Sequence, residues 1–316
     1  MGEFRIVRAR DVSGHEFRRL AKQTDWQRVV DGVVVESADD VTEEALRRLR
    51  VEEVAARFGS GAVVSHQSAA LVYGLPQWNI AHDRVHVTKN RRTGARRSRD
   101  VVVHAAPIAG PVVLLDGLLV TTPARTIVDC ARTLSFEHAV VIGDAMVRKF
   151  GVSTPELDWE LASARNRTGT AAAHRAVAFL DGHSESVGES LSRIAFHRNK
   201  INGFVPQGEV FDGDGNFIAR VDFFHRSEPL LGEFDGDLKY DGPGGRSALR
   251  KEKKREDLLR EHGNDMMRWD WDDVFGTRLR TRYELALRRI VPRNRTCWIR
   301  QAALPEPVPL RLVHDW

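Results

Sequence analysis

The sequence predicts an α/β fold of the α+β kind: a winged-helix-like α+β module followed by a mixed sheet flanked by helices. Three observations predict it. Stretches with apolar residues at helical spacing alternate along the chain with short strand-like runs. The turn dipeptides Asp31-Gly32 and Asp116-Gly117 sit between apolar runs, where tight hairpins are expected. The 316 residues suit two domains better than one.

From the N-terminus, Phe17, Leu20 and Ala21 fall at helical spacing. Trp26, Val29 and Val30 then lead through Asp31-Gly32 to a second strand, Val33–Val35. A helix followed by a tight hairpin is the pattern of a small winged-helix element. Residues 42–58 carry the helical stripe Leu46, Leu49, Val51, Val54 and Ala55. Ser65–Tyr73 reads as a short helix closed by Gly74 and Pro76. Two strand-like runs, Arg84–Thr88 and Val101–His104, follow, and the segment between them is expected at a hairpin tip. Leu114–Val120 reads as a strand pair around Asp116-Gly117. Thr122-Pro123 starts a helix with proline in its first turn, and Phe136–Phe150 continues as another. Ser153 or Thr154, before Pro155-Glu156, supplies an N-cap and an acidic first turn to helical patterns running to Leu180.

The second part reads α-β-β-β-α-β. Its elements are a helix Glu185–Asn199 and strands Phe204–Phe211, Phe217–Phe224 and Pro229–Phe234. A charged helix Arg246–His262 and a strand Asp265–Trp271 follow, and Val274–Ile290 closes as a helix. Asp212–Asn216 is a hairpin turn; an EF-hand needs Gly and Glu where Phe217 and Phe223 stand. The expected organisation is 1–180, 181–291 and an extended tail, 292–316.

Composition narrows the possibilities. Hydrophobic residues make up 42%, enough for ordinary cores, yet no apolar run reaches the roughly 18 residues of a membrane helix. The charged N-terminus lacks a signal core, so a cytoplasmic protein with no membrane association is expected. Cys130 and Cys297 stand far apart without a CxxC partner, which argues against a zinc ribbon or a disulfide scaffold. No P-loop, dinucleotide loop or nucleophile elbow is present. His66 reads as a core or capping histidine.

The net charge is only +4, but residues 89–99 carry six basic side chains and no acid. Lys89, Arg91, Arg92, Arg96, Arg97 and Arg99 form either a solvated loop or a phosphate-contacting one. In the charged helix, Arg250, Lys254 and Arg255 are the candidates to touch phosphate; otherwise that helix is a solvated, salt-bridged face.

The acids of the second part suggest chemistry. Strand alternation puts Asp222 on one face with Ile218, Arg220 and Phe224. Glu233 and Asp235 are two apart and share a face. Carboxylates on a sheet face need a positive partner, and a divalent cation is one. Asp222, Glu233 and Asp235 are therefore the expected ligands of Mg²⁺ or Mn²⁺. Glu185 and Glu189, one helical turn apart, could add a carboxylate from a crossing helix. Lys239 could neutralise a hydroxide or a phosphate.

These residues resemble a known family. Ile218 to Phe223, then Gly232-Glu233-Phe234-Asp235-Gly236, then Lys239-Tyr240 look like the very-short-patch-repair (Vsr) endonuclease-like branch of the PD-(D/E)XK superfamily. Glu252 to Arg260 and Arg268-Trp269 fit the same branch, so the likeness covers about residues 184–275. It implies a restriction-endonuclease-like sheet, Asp222 and Glu233 as metal ligands, Glu189 as the acid on the first helix, and Asp235 in the acidic strand. The family's usual lysine is replaced by Asp235. Residues 15–135 resemble AbiEi-type antitoxins through Trp26–Val29, Asp31–Val35, Ser65–Ala70, Tyr73–Pro76 and Thr121–Asp129. That likeness implies DNA binding and a toxin or defence-system partner. Together the two resemblances imply a Mg²⁺-dependent DNA endonuclease in phage defence or DNA repair. The alternative is a non-catalytic, antitoxin-like transcriptional regulator with a degenerate nuclease domain.

Overall fold

The computed structural model describes residues 5–37, 41–236, 245–291, 295–314 and 316, with side chains of the helix beginning at Gly245 described from Lys253 onward. The protein is α+β and divides into two compact units. Unit 1 comprises Met1–Ile142, Val152–Phe179 and Val308–Trp316; unit 2 comprises Gly143–Gly151 and Leu180–Pro307.

Unit 1 opens with β1 (Ile6–Arg8), α1 (Gly14–Leu20), β2 (Trp26–Val30) and β3 (Val33–Glu36), with strands in the antiparallel order β1-β3-β2. The turn between β2 and β3 holds Gly32 at φ 71°, a conformation glycine adopts without a Cβ penalty. Val7, Leu20, Trp26 and Val34 form the small core there. α2 (Glu43–Ala56) is capped by the Thr42 side chain. Next come β4 (Val63–Val64), α3 (His66–Val72), β5 (Val85–Lys89), β6 (Arg96–Arg97), β7 (Val101–Ala105), β8 (Val112–Leu115) and β9 (Leu118–Val120). These strands lie in the order β8-β9-β4-β5-β7-β6. α4 (Pro123–Thr133), the first half of α5 (Phe136–Phe150), α6 (Thr154–Ser163) and α7 (Thr170–Val177) follow; the second half of α5 belongs to unit 2. Val128, Ala131, Leu161, Ala164, Ala173 and Ala176 bury the apolar stripes of α4, α6 and α7 together.

One expectation is corrected here. The basic segment is not a hairpin tip, because β5 and β7 run parallel. A tight hairpin links its strands by about two to five residues. Residues 90–100 are long enough to run back along the sheet, and within them β6 adds antiparallel to the outer edge of β7.

Unit 2 is built from α8 (Val187–Arg198), β10 (Phe204–Asp212), β11 (Phe217–His225), β12 (Leu230–Phe234), α9 (Gly245–Glu261) and β13 (Asp265–Trp269), then α10 (Trp271–Phe275) and α11 (Leu279–Arg289). β14 (Cys297–Gln301) completes a sheet of order β13-β12-β11-β10-β14, antiparallel except for the β12–β13 pair. The single closing helix read from sequence is two helices: Asp270 and Asp273 cap α10 reciprocally, and Gly276 ends it. Two short strands lie between residues 297 and 313. β14 covers the outer edge of β10, with Trp298 stacked on Phe211 at 4.4 Å, while β15 (Leu312–Val313) pairs with β8 in unit 1. Both segments satisfy backbone groups that an open sheet edge leaves unpaired.

The unit 2 core is aromatic. Phe196 of α8 meets Phe223 and Trp269 edge-on at 5.4 and 5.1 Å, and the buried Trp269 Nε1 donates to Ser192 Oγ at 2.7 Å. Trp269→Ala is expected to cost about 3–5 kcal/mol, read as a shifted urea midpoint at unchanged slope. Among the described residues, no helix is long and apolar enough to cross a membrane.

Candidate functional site

In unit 2, β11 pairs Phe223 with Gly232 of β12, and the charge of Glu233, next along β12, acts on Asp222, next along β11. The Asp222 Oδ2 accepts the Phe234 backbone N–H at 2.9 Å. Burial, then the nearby charges of Glu189 and Glu233, push the Asp222 carboxyl up to about 7 against that hydrogen bond. Glu189 stands in the first turn of α8, whose N-cap is Ser186. Its carboxylate accepts from the Glu185 N–H at 3.0 Å, Ser186 Oγ at 2.9 Å and Gln207 Nε2 at 2.7 Å, and burial raises its proton affinity too. Gln207 reaches it from inside β10, where φ is 60°, a strained value for a residue other than glycine.

Glu233 is ion-paired with Arg255 of α9, and with Arg268 Nη2 at 3.2 Å. Arg255 Nη1 also donates to the Arg220 carbonyl at 3.0 Å. Glu185 pairs with Arg148 and Arg220, and its charge adds to the raised proton affinity of Glu189. Asp235 lies just past β12 and is exposed. Among the described residues, neither Asp222, Glu233 and Asp235 nor Glu189, Asp222 and Glu233 form a group of three whose donor atoms all lie within 4.8 Å of one another. Lys239 and the Arg250 side chain lie outside the described residues, and Lys254 is exposed. The donor set around Asp222 is all oxygen and carries unfavourable like charge, which fits a hard divalent cation. Glu233 would have to exchange its arginine partners to join it.

Of the basic segment, Arg91, Arg92, Arg96, Arg97 and Arg99 are exposed. Lys89 is half-buried, its Nζ 5.1 Å from the centroid of the Phe58 ring.

Unit 1 brings together residues that sequence reasoning missed. His66, at φ 55°, opens α3; its ring stacks on His104 of β7 with centroids 3.7 Å apart. His86 Nδ1 lies 3.0 Å from His104 Nε2, and Gln67 Nε2 lies 3.0 Å from His86 Nε2. Thr88 Oγ1 donates to Ser65 Oγ at 2.8 Å, which lies 2.9 Å from His66 Nδ1. One nitrogen from each histidine lies within 4.8 Å of the others, a donor geometry that suits a borderline metal such as zinc. Burial keeps all three imidazoles neutral, holding His86 down to about 3, His104 to about 4 and His66 well below its ordinary range. The sequence signal was present: His86 and His104 each interrupt a valine-rich strand. Nearby, Asp129 is fully buried and bonded to Arg125 at 2.7 Å and Arg132 at 3.1 Å.

No protein-family model matches the chain. The chain is similar to two uncharacterized proteins of Mycobacterium tuberculosis, Rv2248 of strain H37Rv and MT2308 of strain CDC 1551. Each is 28% identical over 219 residues, covering 68% of this chain and 77% of the relative.

Proposed function

We propose that unit 2 is a Mg²⁺- or Mn²⁺-dependent endonuclease that hydrolyses phosphodiester bonds in DNA, with unit 1 as its DNA-binding module. The observation that carries this reading is the group of half-buried and buried acids Asp222, Glu233 and Glu189, whose charges raise the Asp222 carboxyl while its Oδ2 accepts the Phe234 N–H. The succession α8-β10-β11-β12-α9-β13 and the resemblance of its residues to Vsr-like enzymes support it. Asp222, Glu189 and, once released from Arg255 and Arg268, Glu233 would hold the cation. The chemistry it supplies is Lewis-acid stabilisation of the phosphodiester and a more acidic bound water. Arg255 and Arg268 would then exchange the Glu233 carboxylate for a phosphate. A role in phage defence or DNA repair, and a toxin or defence-system partner, go with this reading.

The test is nicking of supercoiled plasmid and cutting of single-stranded DNA by purified protein, with Mg²⁺, with Mn²⁺ and with EDTA. A binding-only regulator is the second reading, favoured by the ion pairs that already neutralise Glu233. Absence of cleavage under every condition, together with retained DNA binding, selects it.

The basic segment gives a further expected result. Arg91, Arg92, Arg96, Arg97 and Arg99 replaced together by Ser are expected to weaken DNA binding without regard to sequence. The log–log salt slope should fall by about 0.9 for each phosphate that is no longer neutralised. Fluorescence anisotropy across salt concentrations measures both; an unchanged slope means the segment is solvated only.

A further inference from the structure

Unit 1 contains a charged cavity that the nuclease reading leaves unused. Thr122 caps α4, and the helix carries Arg125 and Asp129 one turn apart. The Arg125 side chain is only 6% exposed. Its Nε donates to Asp129 Oδ2 at 2.7 Å and its Nη1 to the Pro107 carbonyl at 3.2 Å. Its Nη2 is buried and has no hydrogen-bond partner among the described residues. Leaving such a donor unmet costs roughly 1–3 kcal/mol, more for a charged group, unless an acceptor arrives.

Arg125 lines a cavity of about 810 Å³, inside the range of small-molecule sites. Arg92, Arg132, Arg165 and Arg167 line it as well, against the carboxylate of Glu160, while Asp129 lines a smaller adjoining cavity with Arg125, Arg132 and Arg167. Five guanidiniums against these two carboxylates leave an excess of positive charge. Asp129 is already shared between Arg125 and Arg132, with Arg167 at 4.0 Å. Glu160 stands 3.8 Å from Arg125 Nη1. Burial, with Asp129 adding to it, raises the Glu160 carboxyl to about 7 against the pull of Arg125, so this residue gives up part of its counter-charge near neutrality. The lining also includes the indole of Trp159, half exposed. An exposed, rigid aromatic surface beside crowded guanidiniums is the pairing that holds a planar base and a phosphoryl group at once.

We propose that this cavity binds a nucleoside phosphate, with the phosphoryl oxygens on Arg167 and the base against Trp159, beside the buried charge of Arg125. The site belongs to unit 1 and is independent of the acids of unit 2.

The full-length protein is titrated calorimetrically with ADP, pyrophosphate and adenosine. ADP is expected to bind at least about fivefold more tightly than pyrophosphate, the contribution of one stacked base, and adenosine not to bind. Trp159→Ala should bring ADP to the pyrophosphate level. Arg167→Gln should weaken both ligands. Glu160→Gln should tighten both, a gain that misfolding cannot produce. Failure of ADP and pyrophosphate to bind at millimolar concentration overturns the proposal. So does binding that neither Arg167→Gln nor Glu160→Gln alters. Equal affinity for ADP and pyrophosphate with a silent Trp159→Ala marks a phosphate-only site and overturns the nucleoside assignment.

Discussion

Asp222→Asn is expected to lower metal-dependent nicking by at least about 100-fold while leaving the melting temperature without metal unchanged or higher. Losing charge that stabilises a developing oxyanion or holds its cation costs that much or more. The second half follows from the carboxyl's surroundings. Burial and the charges of Glu189 and Glu233 oppose ionisation of Asp222, so its neutral amide relieves a cost that the wild type carries at neutral pH. The sign of the pH dependence is set by the same group. Its folded pKa lies above the unfolded one, so its proton stabilises the fold at low pH, and that contribution fades as pH rises through about 7. Wild type should therefore gain more thermal stability from Mn²⁺ above pH 7 than below it, and the variant should gain little at either pH. Scanning calorimetry with and without Mn²⁺ at pH 6 and 8 reads this directly. A variant that cuts like wild type removes Asp222 from the chemistry. A wild type that neither cuts nor responds to metal leaves the binding-only regulator.

Acidification from about pH 6.5 to 4 is expected to destabilise unit 1 through its buried histidines. His86 and His104 are held down to about 3 and about 4 by burial, and His66 lower than its usual range, among Asp129, Arg125, Arg132, Asp83 and Arg97. In the unfolded chain each takes up a proton near pH 6.5; in the folded chain it does not. Stability is thus present above about pH 6.5 and lost as pH falls toward 4. Each tenfold difference in proton affinity is worth about 1.4 kcal/mol, so the pair costs on the order of 5 kcal/mol by pH 4. That is comparable to the whole stability of a typical domain. Glu160, raised to about 7, works in the opposite sense between pH 7 and 4.5, which makes a variant the better comparison. His86→Gln keeps a polar partner for Gln67 and should flatten the pH slope by close to one proton. Hydrogen exchange at the α3 and β5 amides, from pH 7.5 to 4, measures it. Equal slopes for wild type and variant would show that the imidazoles take up protons in the folded state.

Much of the architecture was legible along the chain. Thr122 and Ser153 stand where helix N-caps are found, and Asp31-Gly32, Asp116-Gly117 and Asp212–Asn216 mark the turns between paired strands. These signals are local, since capping and turn formation depend on residues within a few positions. The approach of Asp222 and Glu233 was half legible: two-residue alternation gives a face, and the strand register then decides which acids come near each other.

Longer-range outcomes depended on tertiary structure. The valine-rich runs of β5 and β7 fit a parallel pair and an antiparallel one equally well, and the return path of residues 90–100 decided between them. Residues 297–301 and 312–313 look like tail in isolation and become strands because two sheet edges offer unpaired backbone groups. Arg255 and Arg268 reach Glu233 from α9 and β13, so the charge balance of that acid could not be read from its own strand. His66, His86, His104, Arg125, Asp129 and Arg167 are spread over about a hundred residues, and no spacing rule links them. Sequence alone settles the composition, the caps, the turns and the periodicity. Only the packed chain settles which buried charges meet, because electrostatic energy depends on distance and burial rather than on position along the chain.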